Sequence, residues 1–374
     1  MADRPRGHEV AVLGGGALGC AIAYMLARRK LAPLVVDYAG PGREFPAPVA
    51  VSVWDHAEPA ETGAFGLESA GHFPHLQDQI GPIGYLRTGG MVPAGTLEEA
   101  AAGEALARTQ ASAGLPVRWL SREEALQREP ALAPDVCGAT YSPHDGVVNP
   151  LLLTRRLSAA ARRLGATFLY HAGHVVVSAQ ARWVSMRGAR EHVEARRVIV
   201  ASGEWLAELD RQLGLGLPAR ATGGYVITTE ALPPLVRHRL PGVRQQSRGE
   251  VILDQAGGEA VDCTAATRAM REAAMAATKL VPALRDVRVL HAWPWRATLP
   301  ADTLPLLGKV EEGIFVAVPH APGVTLVPLL AQAAAAIAVD GRVPEGLQRW
   351  EPRRARPAAV VGGALPRKDS PKDP

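Results

Sequence analysis

The chain has 374 residues, 47% of them hydrophobic and 21% charged, with a formal net charge of +4. That is an ordinary globular composition, enough for about two domains at ~150 residues each with roughly three-quarters of the unfolded surface buried. The arginines are scattered and form no basic block interleaved with aromatics, no apolar run is long enough to span a bilayer, and the three cysteines are too far apart for a metal or disulfide framework, so nucleic-acid, membrane-spanning and metal-scaffold classes are not expected.

The first strand begins so near Met1 that no signal peptide fits ahead of it, and a cytoplasmic protein is the expectation. Glu9 to Leu13 reads as a short buried strand. Gly14-Gly15-Gly16-Ala17-Leu18-Gly19 then fits G-x-G-x-x-G, and Ala17 to Arg29 is rich in helix formers. Leu34-Val35-Val36 is a second buried strand with Asp37 at its tip. Strand, glycine turn, helix, strand and terminal acid together describe a dinucleotide site. Gly14 permits the tight turn, Gly16 lets backbone approach a pyrophosphate, and Gly19 lets helix and strand pack closely. The helix N-terminus attracts the phosphates through its free N–H groups. Asp37 can accept from both ribose hydroxyls. The unit serves NAD and FAD alike.

Beyond Asp37, residues 44–54 read as turns, and Glu61 to Ile80 as a helix. Gly84 to Met91 reads as a strand running into a turn, and Thr96 to Ala113 as a helix. Ser121 with Glu124 three residues on forms a capping box. Tyr141 to Pro150 reads as a loop, and Leu151 to Leu164 as a helix ended by Gly165. Strands are next expected at Thr167–Tyr170, His174–Ser178, Ala181–Met186, His192–Ala195 and Arg197–Ala201. Later strands are expected at Tyr225–Thr229, Val251–Leu253, Val287–Trp295 and Gly313–Val318, with helices at Thr267–Leu280 and Leu326–Val339. After Trp350 the Arg-, Pro- and Lys-rich tail reads as disordered. Alternating helices and strands make a mixed α/β protein. His144 and Asp145 lack a third metal ligand at useful spacing, so no metal is expected. Trp293 and Trp295 share one face of a strand, as core or as a cavity wall. Gly223-Gly224 and Thr88-Gly89-Gly90 read as structural turns.

From about Val10 to Ile337 the chain resembles the D-amino-acid oxidase superfamily of FAD enzymes, and within it the glycine oxidase and sarcosine oxidase-like group. Five stretches carry the likeness: Gly14 to Gly19 with Asp37, Asp145-Gly146-Val147-Val148-Asn149-Pro150, Ala201-Ser202-Gly203-Glu204-Trp205, Arg296 to Gly308, and His320 to Pro328. The chain departs from the family pattern at Glu44 to Val51, where small residues are usual and Pro46, Val49 and Val51 stand. It departs again at Pro319, which precedes the histidine where glycine is usual, and the closing segment is shortened around Pro322. Proline supplies no N–H and fixes φ.

The resemblance implies a discontinuous Rossmann-type FAD-binding domain of residues 1–83, 137–224 and 291–345, with an inserted α+β substrate domain of 84–136 and 225–290 and a tail at 351–374. It implies FAD contacts at Gly14, Gly16, Ala17, Leu18, Gly19, Asp37, Val175, Gly203, Gly323, Val324 and Thr325. Arg296 is implied as the fork that grips a substrate carboxylate, His320 as a neighbour of the flavin, and Tyr225 as a wall of the substrate cavity. Against these stand an ion-pair arginine, a backbone-capping histidine and a packed core tyrosine. The function implied is hydride transfer from the α-carbon of a small amino acid or secondary amine, of glycine, sarcosine or proline type, to flavin N5, giving an imine that water hydrolyses. Two other readings stand beside it. One is a non-catalytic or weakly catalytic subunit that pairs with another chain, which the proline-bearing loops allow; whether the chain instead forms a homo-oligomer stays open. The other is an NAD-dependent dehydrogenase, which the first fifty residues permit.

Overall fold

A computed structural model describes residues 7–38, 40, 51–56, 60–172, 175–180, 183–187, 192–201, 206–214, 216–217, 219–258, 263–302, 304–320, 323–341 and 343–354. In chain order, β1 (Gly7–Leu13), α1 (Ala17–Arg28) and β2 (Leu34–Val36) form the opening unit. They are followed by β3 (Val51–Val53) and the long α2 (Ala60–Ile80). The next five elements are β4 (Gly90–Ala94), α3 (Leu97–Ser112), β5 (Arg118–Ser121), α4 (Arg122–Arg128) and β6 (Gly138–Ser142). Then come β7 (Gly146–Val148), α5 (Pro150–Arg163), β8 (Thr167–Leu169), β9 (Val176–Gln180), β10 (Trp183–Arg187), β11 (His192–Val200) and α6 (Leu206–Leu213). A second β region holds β12 (Ala219–Ala231), β13 (Val243–Gln245), β14 (Glu250–Gly258), α7 (Cys263–Leu280) and β15 (Val289–Pro300). The chain closes with β16 (Leu306–Glu311), β17 (Ile314–Val318) and α8 (Val327–Asp340).

The largest sheet runs β16-β17-β11-β1-β2-β8, with β10 and β9 beyond β11. The pairs β17–β11, β11–β1, β1–β2 and β2–β8 are parallel. Parallel strands are buried on both faces, so residues 10–13 of β1 and all of β2 and β17 read as unbroken apolar runs rather than alternations. Helices α1, α5 and α8 cover one face in a single apolar core. α8 is buried nearly all round, which fits its alanine-rich, almost uncharged sequence. α5 is amphipathic: Leu153, Leu157, Ala160 and Ala161 point inward. The side chain of Asn149 caps it by accepting the Leu152 N–H, with Pro150 as its first residue.

The second body joins an antiparallel sheet β13-β14-β12-β15 to a three-stranded sheet β4-β6-β5. Ile227, Val251 and Leu253 of the first sheet and Met91, Leu120 and Ala139 of the second meet Ala277 and Val281 in one core. The capping box is present: Ser121 accepts the Glu124 N–H, and the Glu124 carboxylate accepts the Ser121 N–H.

Several segments differ from expectation. Gly84 and Gly89 both have φ near +69°, a conformation that breaks an extended run. The turn therefore comes first, and the strand is β4 after it. Residues 141–150 are largely strand, because β6 pairs with β4 and β5 and β7 pairs with β3. Residues 51–53, expected as turn, form β3. His192–Ala195 and Arg197–Ala201 are one strand, β11. Backbone pairing places 138–142 in the β4-β6-β5 sheet and 219–224 and 291–300 in the β13-β14-β12-β15 sheet. Motifs mark where a ligand is held, whereas ladder hydrogen bonds mark where a sheet ends. Residues 44–50 and 355–374 lie outside the described residues.

Candidate functional site

Three segments meet at one edge of the parallel sheet. In the register, Leu13 stands beside Val200, and Val200 beside Val316. The carboxyl ends of β1, β11 and β17 are thus level, at the edge where open α/β sheets bind ligands. After β1 comes the glycine turn, after β11 the Ala201 segment, and after β17 the stretch from His320 to Thr325.

The glycine turn is tightly built. Gly14 has φ +111° and donates to the Val36 carbonyl at 2.9 Å. A Cβ on Gly19 would lie 1.8 Å from the Gly14 carbonyl oxygen, so helix and strand close up only over glycine. Gly16 is the N-cap of α1 and has no side chain to cap it, and the first turn carries no acid. The orphan N–H groups of Ala17 and Leu18 therefore meet no competing side chain of the helix itself. Asp37 Oδ2 accepts the Gly15 N–H at 2.6 Å, so the acid braces the turn. A Cβ on Gly15 would lie 3.2 Å from the Tyr170 ring. Burial pushes the Tyr170 phenol up to about 12, and it stays protonated at neutral pH. An open helix N-terminus, a positive-φ glycine, a glycine with no room for a methyl group and a strand-end acid fit the pyrophosphate and ribose of FAD.

The other expected FAD contacts fall as follows. Val175 is buried, and its carbonyl accepts from Gln212 Nε2 at 3.3 Å. Gly203 lies outside the described residues. Gly323 follows the buried His320 and packs near Pro319, while Val324 and Thr325 are buried. Thr325 Oγ1 accepts the Trp54 N–H at 3.0 Å. That bond ties the closing segment to the end of β3. Trp54 is fully buried with φ +52°, a conformation that persists in a bulky residue only when its surroundings hold it. Its Nε1 donates to the Gly63 carbonyl at 3.0 Å.

The antiparallel sheet presents two faces. One packs on α7. On the other, Val226 stands opposite Trp293 and Asp254, and Arg244 opposite Ile252. Residues directly opposite share a face, so Val226, Ile252, Trp293 and Trp295 form an apolar patch. Beside it lies the Arg244–Asp254 ion pair at 2.7 Å. Burial pushes the Asp254 carboxyl up, but the guanidiniums of Arg244 and Arg239 hold it below the usual range. Tyr225 is buried in β12 opposite Pro294 and Gln255, next to the irregular register at Gly223/Gly224. Arg296 stands opposite Gly223 in β15, and its side chain lies outside the described residues.

The structure adds a buried polar cluster that spacing could not reveal. Asp145 Oδ2 and His56 Nδ1 are 2.8 Å apart, and His56 Nε2 is 2.8 Å from Thr140 Oγ1. With Asp145 ionised, Nδ1–H donates to it, and in the neutral ring Nε2 accepts the Thr140 hydroxyl. Asp55 completes a group of three potential metal ligands. The Arg239 guanidinium stands among them, paired with Asp55 and 3.7 Å from Asp145 Oδ2. A protein cation thus stands between the two carboxylates and offsets one of their two charges. Asp145 thus belongs with His56 and Asp55, not with His144. A Cβ on Gly90 would lie 2.2 Å from Asp145 Oδ2, so Asp145 closes onto the start of β4 only because that residue is glycine.

The parallel sheet and its glycine turn define a dinucleotide-binding α/β protein. The chain belongs to the DAO family of FAD-dependent oxidoreductases, whose pattern it matches over residues 9–337. That membership fixes FAD as the cofactor and sets the NAD reading aside. An opine oxidase subunit of Rhizobium meliloti is 28% identical over 367 residues, covering 92% of this chain and 97% of that protein. Glycine oxidase of Geobacillus kaustophilus is 26% identical over 347 residues, covering 86% and 90%. The crystal structure of glycine oxidase from that organism matches with a TM-score of 0.84 at 25% identity, over 93% of this chain and 99% of the other. L-proline dehydrogenase from P. horikoshii shares the fold with a TM-score of 0.83 at 20% identity, over 94% and 98%. Among the described residues, no helix is long and apolar enough to cross a membrane.

Proposed function

We propose that this protein oxidises a small amino acid or secondary amine at the C–N bond. The observation that supports this most is near full-length likeness to two proteins named for oxidising such compounds, over 97% and 90% of their lengths. FAD, when bound, supplies the two-electron oxidising chemistry. The residues of the chain bind and orient. Arg296 offers a permanently charged fork for a carboxylate, which holds the α-carbon in one place. The Val226, Ile252, Trp293 and Trp295 patch excludes water from the substrate's apolar part. Tyr225 and His320, both buried, serve in this reading as neighbours of substrate and flavin. The substrate leaves as an imine, which water hydrolyses. We also propose that the second body, built on the two antiparallel sheets, is the substrate domain inserted into the FAD-binding one.

The test is a visible spectrum of the purified protein, then anaerobic addition of a panel of amines with an artificial electron acceptor beside an oxygen electrode. Bleaching by an amino acid or secondary amine supports the reading. A flavin that no amine reduces overturns it. A second reading, that the chain works as one subunit of a larger oxidase, is supported by the name of the R. meliloti relative, which calls that protein a subunit. Full turnover by the isolated chain would refute it.

A further inference from the structure

The geometry points to Arg239 as a positioning residue that seats the second body against the FAD-binding one and holds the Ser52–His56 segment in place beside the flavin. The inference rests on the chain holding FAD.

Arg239 is gripped at its backbone by the second body. Its N–H donates to the Gly89 carbonyl at 3.0 Å, and its carbonyl accepts the Met91 N–H at 2.9 Å. From that fixed base the side chain crosses into the segment after β3. Nε donates to Ser52 Oγ at 3.2 Å, and the guanidinium pairs with Asp55 and approaches Asp145. The side chain is only 8% exposed, and that of Asp145 is fully buried. Between Ser52 and Asp55 sits Trp54, with its left-handed backbone and its N–H on Thr325 Oγ1. Thr325 belongs to the closing segment at the ligand edge of the parallel sheet. The segment is therefore held at two points, by Thr325 from the nucleotide side and by Arg239 from the other body. His56 extends the grip, because it binds Asp145 and Thr140 of β6 at once.

Charge decides which partner matters most. Asp55 and Asp145 are two carboxylates whose oxygens lie within 4.8 Å of each other and of His56. Arg239 is the cation that pairs with both. Removing it leaves like charges facing each other in a largely buried place, a strongly unfavourable state. The segment must then relax, and Trp54 and Thr325 move with it. Lysine restores the charge but not the fork that reaches Ser52 and both acids.

The test uses the holoenzyme with Arg239→Met, Arg239→Lys and the charge-compensated pair Arg239→Met with Asp55→Asn. FAD affinity is read by titrating the flavin-stripped protein, and the flavin environment by the fine structure of its visible absorption. Leu120→Ala, cut from the core of the second body, supplies a destabilised control that leaves the cluster intact. Arg239→Met is expected to weaken FAD by about 2- to 30-fold, the range for residues coupled to a site through a network, and to blur the visible band. Lysine is expected to rescue part of the loss, and the compensated pair more of it than methionine alone. Leu120→Ala is expected to lower the melting temperature without changing the band. If Arg239→Met binds FAD as tightly as the wild type, or changes the band no more than Leu120→Ala does, the inference is overturned. Should Arg239→Met not fold, Arg239→Lys decides by the same readouts. These readouts do not depend on turnover, so an amine panel that fails with FAD affinity altered as expected counts against the proposed reaction alone.

Discussion

Gly19→Ala is the sharpest test of the nucleotide site. The added methyl carbon would lie 1.8 Å from the Gly14 carbonyl oxygen and 2.9 Å from its carbon, against 3.4–4 Å for ordinary contact. Both atoms are backbone, so no side chain can swing away, and the turn itself must open. Opening it strains two bonds: Gly14 N–H to Val36 at 2.9 Å and Gly15 N–H to the Asp37 carboxylate at 2.6 Å. A neutral bond contributes roughly 0.5–1.5 kcal/mol and one to a charged group ~1.5–3 kcal/mol. FAD needs the closed turn, so about 2–4.5 kcal/mol is lost from binding, a fall in affinity of roughly 30- to 2,000-fold. The assay is quenching of FAD fluorescence on titration of the stripped protein, with a thermal melt alongside. Gly71→Ala is the control. A Cβ there meets nothing within 4 Å in the exposed side of α2, and the substitution is expected to stabilise by ~0.5–1 kcal/mol. A Gly19→Ala protein that binds FAD within about threefold of wild type would show that the turn is not closed as described.

Three further outcomes are expected. Asp254 has its folded-state carboxyl held low by Arg244, so its contribution to stability is present above the unfolded value of about 3.9 and is lost as pH falls through the lower folded value. Thermal melts across that window should show a smaller acid loss in Asp254→Asn, and an identical loss would refute the coupling. Arg354 grips Asp302 at 2.9 and 3.0 Å and also donates to the Leu304 and Pro305 carbonyls; Arg354→Ala should lower the melting temperature, with the drop shrinking once Asp302 is protonated in acid. Arg296→Lys should lower kcat/KM for an amino acid by roughly 10- to 150-fold, the loss of one charge-assisted bond of ~1.5–3 kcal/mol, while an amine lacking the carboxylate is unaffected; equal losses on both substrates would make Arg296 a structural ion-pair residue.

Features set by neighbours within a few residues could be read from the chain alone. The glycine turn at 14–19 and the acid at Asp37 were legible because a tight turn over a phosphate needs glycine at fixed offsets. Helices α1, α5 and α8 were legible from apolar spacing, and the Ser121–Glu124 box from two side chains three apart. Features that need distant partners emerged with the folded chain. Residues 51–53 are a strand because β7, nearly a hundred positions on, supplies the ladder. β11 runs unbroken because β1 and β17 flank it. Above all, Asp55 and Arg239 are 184 residues apart in the chain. No local pattern announces an ion pair whose two halves come from different bodies, because its energy comes from burial that exists only once those bodies have docked.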